Sequence, residues 1–332
     1  MATIGIVILN WNGWKDTIAC LNSIYSQLSD DIIIAVCDNA SSDDSVQEIL
    51  KWASNAFLSE DISVVHNANN LNCMNNMAIK KFNFFINCTN LGYAGGNNSA
   101  IKFLVEYVNY IWILNNDTEL EGNAIQQLRA SISKKQDVGI WGCTIAEYYN
   151  KEIVQCAAGA TYVPLLAYGR YHLRGSKVKE VVRKSNPDID FVDYISGASM
   201  VVKCELLEKV GLLNEDYFLY FEEIDLANRC KMAGYKIGWC NKSIIYHKEG
   251  SSLGSSNDMR KKSLNSEYYG NLSALTYTKK FHKTILPLVM VVRFLLKSIL
   301  FVRHRQIRLF RPLIKAYRAF LIGQIIRGPK GV

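Results

Sequence analysis

The first half of the chain alternates short apolar runs with stretches of helical periodicity, and no other feature restricts the fold as much. Ile4–Leu9 is a continuous apolar run bounded by Asn10 and Gly13, the pattern of a strand buried on both faces. Apolar residues at 14, 18, 21, 24, 25 and 28 then follow helical spacing. Ile32–Cys37 predicts a second strand, Ser45–Phe57 a helix, Phe82–Ile86 a third strand and Asn97–Tyr107 a helix. Tyr110–Leu114 predicts a fourth strand, Asn123–Ser133 a helix and Val138–Cys143 a further strand. Such alternation implies a parallel sheet with both faces covered. In sheets of this kind ligands gather at the carboxyl ends of the strands.

The rest of the chain is less regular. Residues 58–81 contain an Asn-rich stretch and predict a surface excursion with no assigned function. The second half carries glycines at 159, 169, 175 and 197 and predicts a mixed sheet with long loops. With 332 residues, 49% of them hydrophobic, the chain can build one large α/β domain with an appendage, or two domains. The net charge of +8 is uneven: residues 279–332 hold thirteen Lys and Arg and no acid, so the first 278 carry a net −5. A uniformly basic nucleic-acid face is therefore not expected. Nine cysteines without a Cys-x-x-Cys pair predict small buried hydrophobes in a reducing compartment. No signal-peptide pattern opens the chain, because Asn10, Trp11 and Asn12 interrupt the first apolar run.

Four polar clusters follow apolar runs: Asn10-Trp-Asn-Gly13, Asp38-Asn-Ala-Ser-Ser-Asp43, Asn90-Leu-Gly-Tyr-Ala-Gly-Gly-Asn-Asn98 and Asn115-Asn-Asp-Thr118. One such cluster is an ordinary turn. Four at successive strand ends suggest a single polar crevice. Asp38 can accept from a base NH or a ribose hydroxyl, and Gly92, Gly95 and Gly96 permit close backbone approach to a ligand before a helix begins. The run is not Gly-x-Gly-x-x-Gly, so a dinucleotide fingerprint is absent. Asp117 suits either a turn or a hard divalent cation shared with a diphosphate. Glu222, Glu223 and Asp225 open a helix that ends at Gly234, where they either complement the helix dipole or supply a general base. Helical geometry puts Glu222 and Asp225 on one face and turns Glu223 elsewhere. His247 ends an apolar run and is either structural or a metal ligand.

Taken in series, these segments resemble the family 2 inverting glycosyltransferases of the GT-A fold, and among them the rhamnosyltransferase-like branch that builds bacterial surface polysaccharides. The matching strings are Val7–Gly13, Cys37–Asp43, Asn90–Asn98, Ile113–Thr118, Ser196-Gly-Ala-Ser-Met200, Phe218–Leu226 and Ala233-Gly-Tyr235 with His247. The resemblance implies a Rossmann-like, mostly parallel sheet over residues 1–255. Residues 1–120 would form the donor half, 121–255 the acceptor half, and 256–332 a basic helical extension. It implies a donor site at Asn10, Asn12, Asp38, Asn39, Gly92, Tyr93, Gly95, Gly96, Asn97, Asn115 and Asn116. Asp38 would bind the base, and Asn115 stands where many relatives carry the first Asp of the metal motif. Asp117 and His247 would hold Mg²⁺ or Mn²⁺. Ser196, Gly197, Ala198 and Ser199 would lie near the transferred sugar or the acceptor. Relatives usually read Glu-Asp or Asp-Asp at Glu222-Glu223, and the second position selects Glu223 as base, with Glu222 and Asp225 as alternatives.

The implied reaction takes a sugar such as rhamnose from a dTDP- or UDP-linked donor to a glycan or lipid-linked glycan. It proceeds by metal-assisted direct displacement with inversion. The alternatives are a nucleotide-sugar-binding module without catalysis and a nicotinamide-dependent oxidoreductase.

Thr284–Val302 approaches the length of a membrane span, but Arg293 and Lys297 make spanning costly. Beyond it, Arg303, Arg305, Arg308, Arg311, Lys315 and Arg318 interleave with apolar residues, a pattern suited to an anionic membrane surface or to a packed helical cap. The expected location is cytoplasmic, peripheral on the inner face of the bacterial membrane, with no nucleic-acid partner.

Overall fold

The structure is a computed structural model that describes residues 3–68, 78–183, 189, 192–248, 260 and 262–323. Its strands are β1 (Ile4–Asn10), β2 (Ile32–Asp38), β3 (Ile62–His66), β4 (Phe82–Ile86), β5 (Tyr110–Asn115), β6 (Thr118–Leu120), β7 (Val138–Glu147), β8 (Val154–Ala157), β9 (Gly159–Val163), β10 (Tyr168–Tyr171), β11 (Tyr194–Ile195), β12 (Ser199–Lys203) and β13 (Lys236–His247). Its helices are α1 (Trp14–Tyr25), α2 (Ser45–Ala56), α3 (Gly92–Leu104), α4 (Ala124–Ile132), α5 (Val178–Val182), α6 (Cys204–Val210), α7 (Glu222–Met232), α8 (Leu264–Phe281), α9 (Leu286–Arg303) and α10 (Phe310–Leu321).

Ten strands make one sheet in the order β3-β4-β2-β1-β5-β12-β7-β13-β6, with β8 also paired to β7. The first five in this order are mutually parallel, and β7 and β13 are parallel to each other. β12 runs antiparallel between β5 and β7, and β6 runs antiparallel to β13. The expected α/β sheet is present, and every antiparallel pair in it involves a strand after β5. Strands β10, β9 and β11 form a separate small antiparallel sheet.

Alternating residues of each central strand feed opposite cores, which is why these runs are apolar throughout. Val7, Ala35, Phe85 and Ile113 pack toward Ile101 and Leu104 of α3. Ile6, Ile8, Ile34, Val36 and Trp112 pack toward Leu21 and Ile24 of α1 and Leu128 of α4. Each such side chain contributes roughly 1.5–3 kcal/mol of transfer free energy.

Two segments differ from expectation. Residues 58–81 are not only an excursion: Ile62, Val64 and their neighbours form β3, paired in parallel with β4, while residues 69–77 lie outside the described ones. α3 begins at Gly92 rather than at Asn97, so the glycine run is inside a buried first turn. Of the eight described cysteines seven are buried and none is disulfide-bonded, as small core hydrophobes should be.

The β5–β12 seam carries a buried polar contact. Trp112 Nε1 donates to Ser199 Oγ at 2.9 Å, and both side chains are fully enclosed. Ser199→Ala leaves that indole donor unpaired and should cost about 1–3 kcal/mol in urea unfolding, with turnover retained. Loss of turnover in a variant of unchanged stability would return Ser199 to the acceptor site.

Candidate functional site

The parallel strands end side by side, because register pairs Asn10 with Asp38, Leu9 with Asn115 and Asp38 with Ile86. The polar clusters therefore converge at one edge of the sheet. Most of their side chains bond one another. Asn10 is fully buried, donates to Asp38 Oδ2 at 2.8 Å and accepts from Thr17 Oγ1 at 2.7 Å. Thr17 Oγ1 also accepts from Asn116 Nδ2 at 3.2 Å. Asn39 donates to Asn90 Oδ1 and to the Gly92 carbonyl, and accepts from Asn87 and from the Leu91 amide.

Asp38, expected to face a base, is fully buried with both oxygens occupied. Oδ1 accepts from the Ser41 amide at 2.9 Å, and Oδ2 from Ser41 Oγ at 2.6 Å as well as from Asn10. A carboxylate at a buried strand end must be compensated, and here that compensation fixes the loop after β2. The rim of this corner is Asn12, exposed and left-handed at φ 51°, which accepts from the Ser42 amide at 2.7 Å.

Asp117 and His247 meet through strand pairing. β13 lies antiparallel to β6 with His247 opposite Thr118, and His247 Nε2 lies 3.2 Å from Asp117 Oδ1. The other ring nitrogen, Nδ1, is 2.9 Å from Gln155 Oε1. That amide oxygen can accept from Nδ1–H, which leaves Nε2 as the nitrogen turned toward the carboxylate. Cis ligands of an octahedral cation with bonds of roughly 2.1 Å sit about 3 Å apart, so the pair fits adjacent positions on Mg²⁺ or Mn²⁺. Among the described residues no cluster of three or more His, Cys, Asp or Glu offers a complete protein cage. Phosphate oxygens and water would fill the remaining positions of such a site.

The glycine-rich turn joins the two halves of the chain. Gly92 has φ +74°, and a Cβ on it would sit 2.2 Å from the Phe218 carbonyl oxygen, so only glycine fits. That approach lets the Tyr93 amide donate to the same carbonyl at 2.7 Å. Gly95 and Gly96 face Leu91 and Leu9 with Asn39, so their smallness serves internal packing rather than an approach to open ligand space. Asn97 is buried and donates to the Tyr93 carbonyl at 2.9 Å. The Tyr93 hydroxyl donates to the Gly197 carbonyl at 2.7 Å, which ties α3 to the loop at 196–199. Within that loop, Ser196 and Ala198 are nearly buried. The Ala198 carbonyl accepts from the Asn115 amide at 3.1 Å. Burial, then the charges of Glu222, Glu223 and Asp117, hold the Tyr93 phenol well above its ordinary range. The glutamate pair and Asp117 thus act electrostatically on this one ring.

The three carboxylates of α7 have separate fates. Asp225 is fully buried, 2.6 Å from Arg229 Nε and 2.5 Å from Lys280 Nζ, and accepts from the Tyr217 hydroxyl at 3.1 Å. It fastens α7 to α8 and offers no free oxygen, which removes it as a base. Glu222 does not share its environment; instead it hydrogen-bonds Glu223. The turn entering α7 explains this: Tyr220 and Phe221 are both left-handed, at φ 68° and 75°, so the first two glutamates leave a sharply bent backbone together. Burial raises both carboxyls; Glu222 is held well above the usual range, with the neighbouring Glu223 charge adding to it. The hydrogen bond between them raises Glu222 and lowers Glu223, the direction in which Glu222 is the donor and Glu223 the acceptor. Glu222 is 4% exposed, whereas Glu223 is partly open. Among the described residues, Oε2 of each is buried without a hydrogen-bond partner.

Beside the glycine-rich turn is a cavity of about 120 Å³ lined by Asn39, Gly92, Tyr93, Asn115 and Asn116 from the sequence expectation, but not by Asp117, His247, Glu222 or Glu223. It is narrower than the roughly 300–1,000 Å³ usual for small-molecule sites, because Phe218, Leu219, Ser266 and Tyr269 close over it. Phe218 stacks on Tyr269 at 4.4 Å, and Tyr220 and Ser266 hydroxyls lie 2.8 Å apart. The α8 residues carried no sequence signal, since they lie far along the chain in an ordinary helical pattern. Gln155 likewise had none. Trp11, in the first polar cluster, was visible but unassigned.

A family model described as "Glycosyltransferase like family 2" matches residues 2–270. Over 248 residues the chain is 24% identical to the low-salt glycan biosynthesis hexosyltransferase Agl10 of Haloferax volcanii, covering 74% of this chain and 67% of that one. Among solved structures, it is similar to a mannosyltransferase of Pyrobaculum calidifontis in complex with GDP-Man and Mn²⁺. That likeness has a TM-score of 0.56 at 12% identity and covers 98% of this chain and 88% of that one. Residues 1–349 of S. aureus TarS, in complex with UDP-GlcNAc, give 0.53 at 13%, covering 96% and 80%. The expected GT-A architecture is the one present.

Asp225→Asn tests the separation of scaffold from chemistry. It leaves Arg229 and Lys280 short of their counter-charge, and breaking a buried pair costs about 3–5 kcal/mol. The expected result is a large fall in unfolding temperature by calorimetry. A fully stable variant without turnover would restore Asp225 as the base.

Proposed function

The chain belongs to the glycosyltransferase-like family 2, and from that premise we propose that it moves a sugar from a nucleoside-diphosphate donor to a hydroxyl of a glycan or lipid-linked glycan, with inversion. One observation carries the reading: Glu223 is hydrogen-bonded to Glu222, and this pair and Asp117 act electrostatically on the same Tyr93 ring. A base, a protonated partner and a cation-competent pair around one residue suit displacement at a sugar carbon. They suit hydride transfer poorly.

The donor would lie along the crevice from the Asn12–Ser42 rim to Asp117. Asp117 and His247 would hold the divalent cation, and the bound cation would offset charge on the leaving diphosphate. The acceptor oxygen attacks the anomeric carbon as the bond to the diphosphate oxygen breaks, and that electron pair leaves with the diphosphate. Glu223 takes the hydroxyl proton. No covalent intermediate forms, hence inversion. Glu222 keeps Glu223 aimed, and Tyr93 with Gly197 fixes the loop against which the sugar rests. The motif resemblance favours a dTDP- or UDP-linked donor and rhamnose as the sugar. Unpaired buried cysteines support a reducing, cytoplasmic setting, and the basic C-terminal region supports a place on the inner face of the membrane.

Glu223→Gln cannot accept the proton and should lower kcat by roughly 10²–10⁴-fold with donor affinity nearly intact. Glu222→Gln retains a donor to Glu223 and should keep most activity. Near-normal turnover in the first variant, with loss in the second, would mean the roles are reversed. A binding module without catalysis would show no turnover even in the wild type. Because both carboxyls ionise above the usual range of roughly 4.3, the acidic limb of kcat/KM should lie above it. The sign for stability follows from the same shift. A raised folded-state pKa makes stability greatest below the unfolded value, and it is lost as pH rises through the folded one. Glu222→Gln should flatten that decline.

A thermal-shift panel of dTDP, UDP and GDP, with and without Mn²⁺, tests the donor and the metal together. Stabilisation by dTDP or UDP that requires Mn²⁺, and its loss in Asp117→Ala, is expected. A response to GDP alone would discard the donor assignment, and an unaltered Mn²⁺ dependence in Asp117→Ala would discard the metal pair.

A further inference from the structure

α9 has its charges inside and its apolar face outside. Arg293 donates from Nε to Asn271 Oδ1 at 2.9 Å, from Nη1 to the carbonyls of Leu166 and Ala167 at 3.0 and 2.9 Å, and from Nη2 to that of Gly270 at 3.3 Å. Lys297 Nζ is 3.0 Å from Glu267 Oε1, and fully buried Glu267 also pairs with Lys262 at 2.7 Å. The two charges that weigh against a membrane span are thus turned onto the body of the protein. The opposite face carries Leu288, Val291, Leu295, Ile299 and Val302, each 53–66% exposed. Their spacing of three, four, four and three makes one continuous stripe. The most apolar 18-residue window of Lys283–Arg303 has a mean hydropathy of 2.3, with 11% of it buried.

From the end of α9 onward, Arg303, Arg305, Arg308, Arg311, Lys315 and Arg318 are all exposed, and no acidic residue occurs after position 278 to offset them. That combination selects the occupant. A second copy docking by two-fold symmetry would set the same basic rows against each other. An anionic bilayer satisfies both features, with acyl chains for the stripe and headgroups for the cations. A spanning orientation would pull Arg293 and Lys297 off their buried partners into hydrocarbon.

α8 is the wall between this face and the site. Ser266 and Tyr269 line the cavity, while Glu267, Gly270 and Asn271 grip α9. A helix is roughly 10 Å across, so the cavity lies about two helix widths, those of α8 and α9, from the apolar stripe.

We propose that α9 is an in-plane membrane anchor whose outward stripe enters the acyl region of an anionic bilayer, and that the acceptor is a lipid-linked sugar presented from that same bilayer. The anchor stands on geometry alone; the acceptor clause rests on the transferase reading. The test uses the full chain and flotation with vesicles of phosphatidylcholine alone or mixed in equal parts with phosphatidylglycerol. Wild type should float with the mixed vesicles, less so at high salt. The exposed double substitution Leu295→Glu with Ile299→Glu should reduce partitioning at least tenfold while the unfolding temperature holds. Equal flotation of the two proteins overturns the anchor. So does absence of flotation in a wild type that is dimeric and becomes monomeric on substitution. In parallel, transfer is measured to one acceptor glycan, either free in water or carried on an alkyl chain in the vesicles. The variant should keep the first rate and lose the second. Equal losses overturn the acceptor clause, and no transfer by wild type to either form removes it with the transferase reading, while flotation still judges the anchor.

Discussion

The amide of Tyr93 and the carbonyl of Phe218 form the joint on which the site depends. One belongs to the first helical turn after β4, the other to the loop before α7. Their 2.7 Å contact brings the donor-side helix against the segment that carries Glu222 and Glu223. Gly92 makes it sterically possible, because a Cβ there would overlap the same carbonyl oxygen. From this joint the Tyr93 ring reaches across to Gly197, and its hydroxyl sits within the fields of Glu222, Glu223 and Asp117. An error of one residue in either partner would separate the base from the cation-competent pair.

Around the joint, the polar clusters chiefly satisfy each other. Asn10, Asp38, Asn39 and Asn116 are buried, and a buried amide or carboxylate without partners is expensive. Linking them through Thr17 and Ser41 removes that cost and stiffens the strand ends at once. Residues that resemble a row of ligands are therefore mostly the frame that holds fewer outward groups in place. Fixed polar groups of this sort need little reorganisation when charge develops in a reaction.

The loop before α7 is held from outside the sheet. Two consecutive left-handed residues, Tyr220 and Phe221, are costly and persist only where packing over-determines them. α8 supplies that packing through Phe218–Tyr269 stacking, the Tyr220–Ser266 contact, Ser273 to the Leu219 carbonyl and Lys280 to Asp225. The helical extension is thus continuous with the body that holds the site, and α9 in turn is fastened to α8 by Arg293 and Lys297.

Sequence alone determined the parallel sheet, because continuous apolar runs alternating with helical periods leave little else to build. It also determined which strand ends carry polar groups, and through motif order it brought Asp117 together with His247 as one pair. It read Gly234 correctly as the residue that stops α7, since a positive φ of 87° there needs glycine. Tertiary structure decided what periodicity cannot encode. Whether Asp38 faces a ligand or its own loop depends on Ser41 folding back from that loop and Asn10 arriving from β1. Whether Asp225 is a base or a buried anchor depends on Lys280, 55 residues later. Whether Glu223 stands apart from Glu222 depends on two strained residues upstream. The direction of α9 was undecidable from its composition, because an apolar helix with two charges reads the same inside out; only the partners Glu267, Asn271 and the carbonyls at 166 and 167 turn its charges inward.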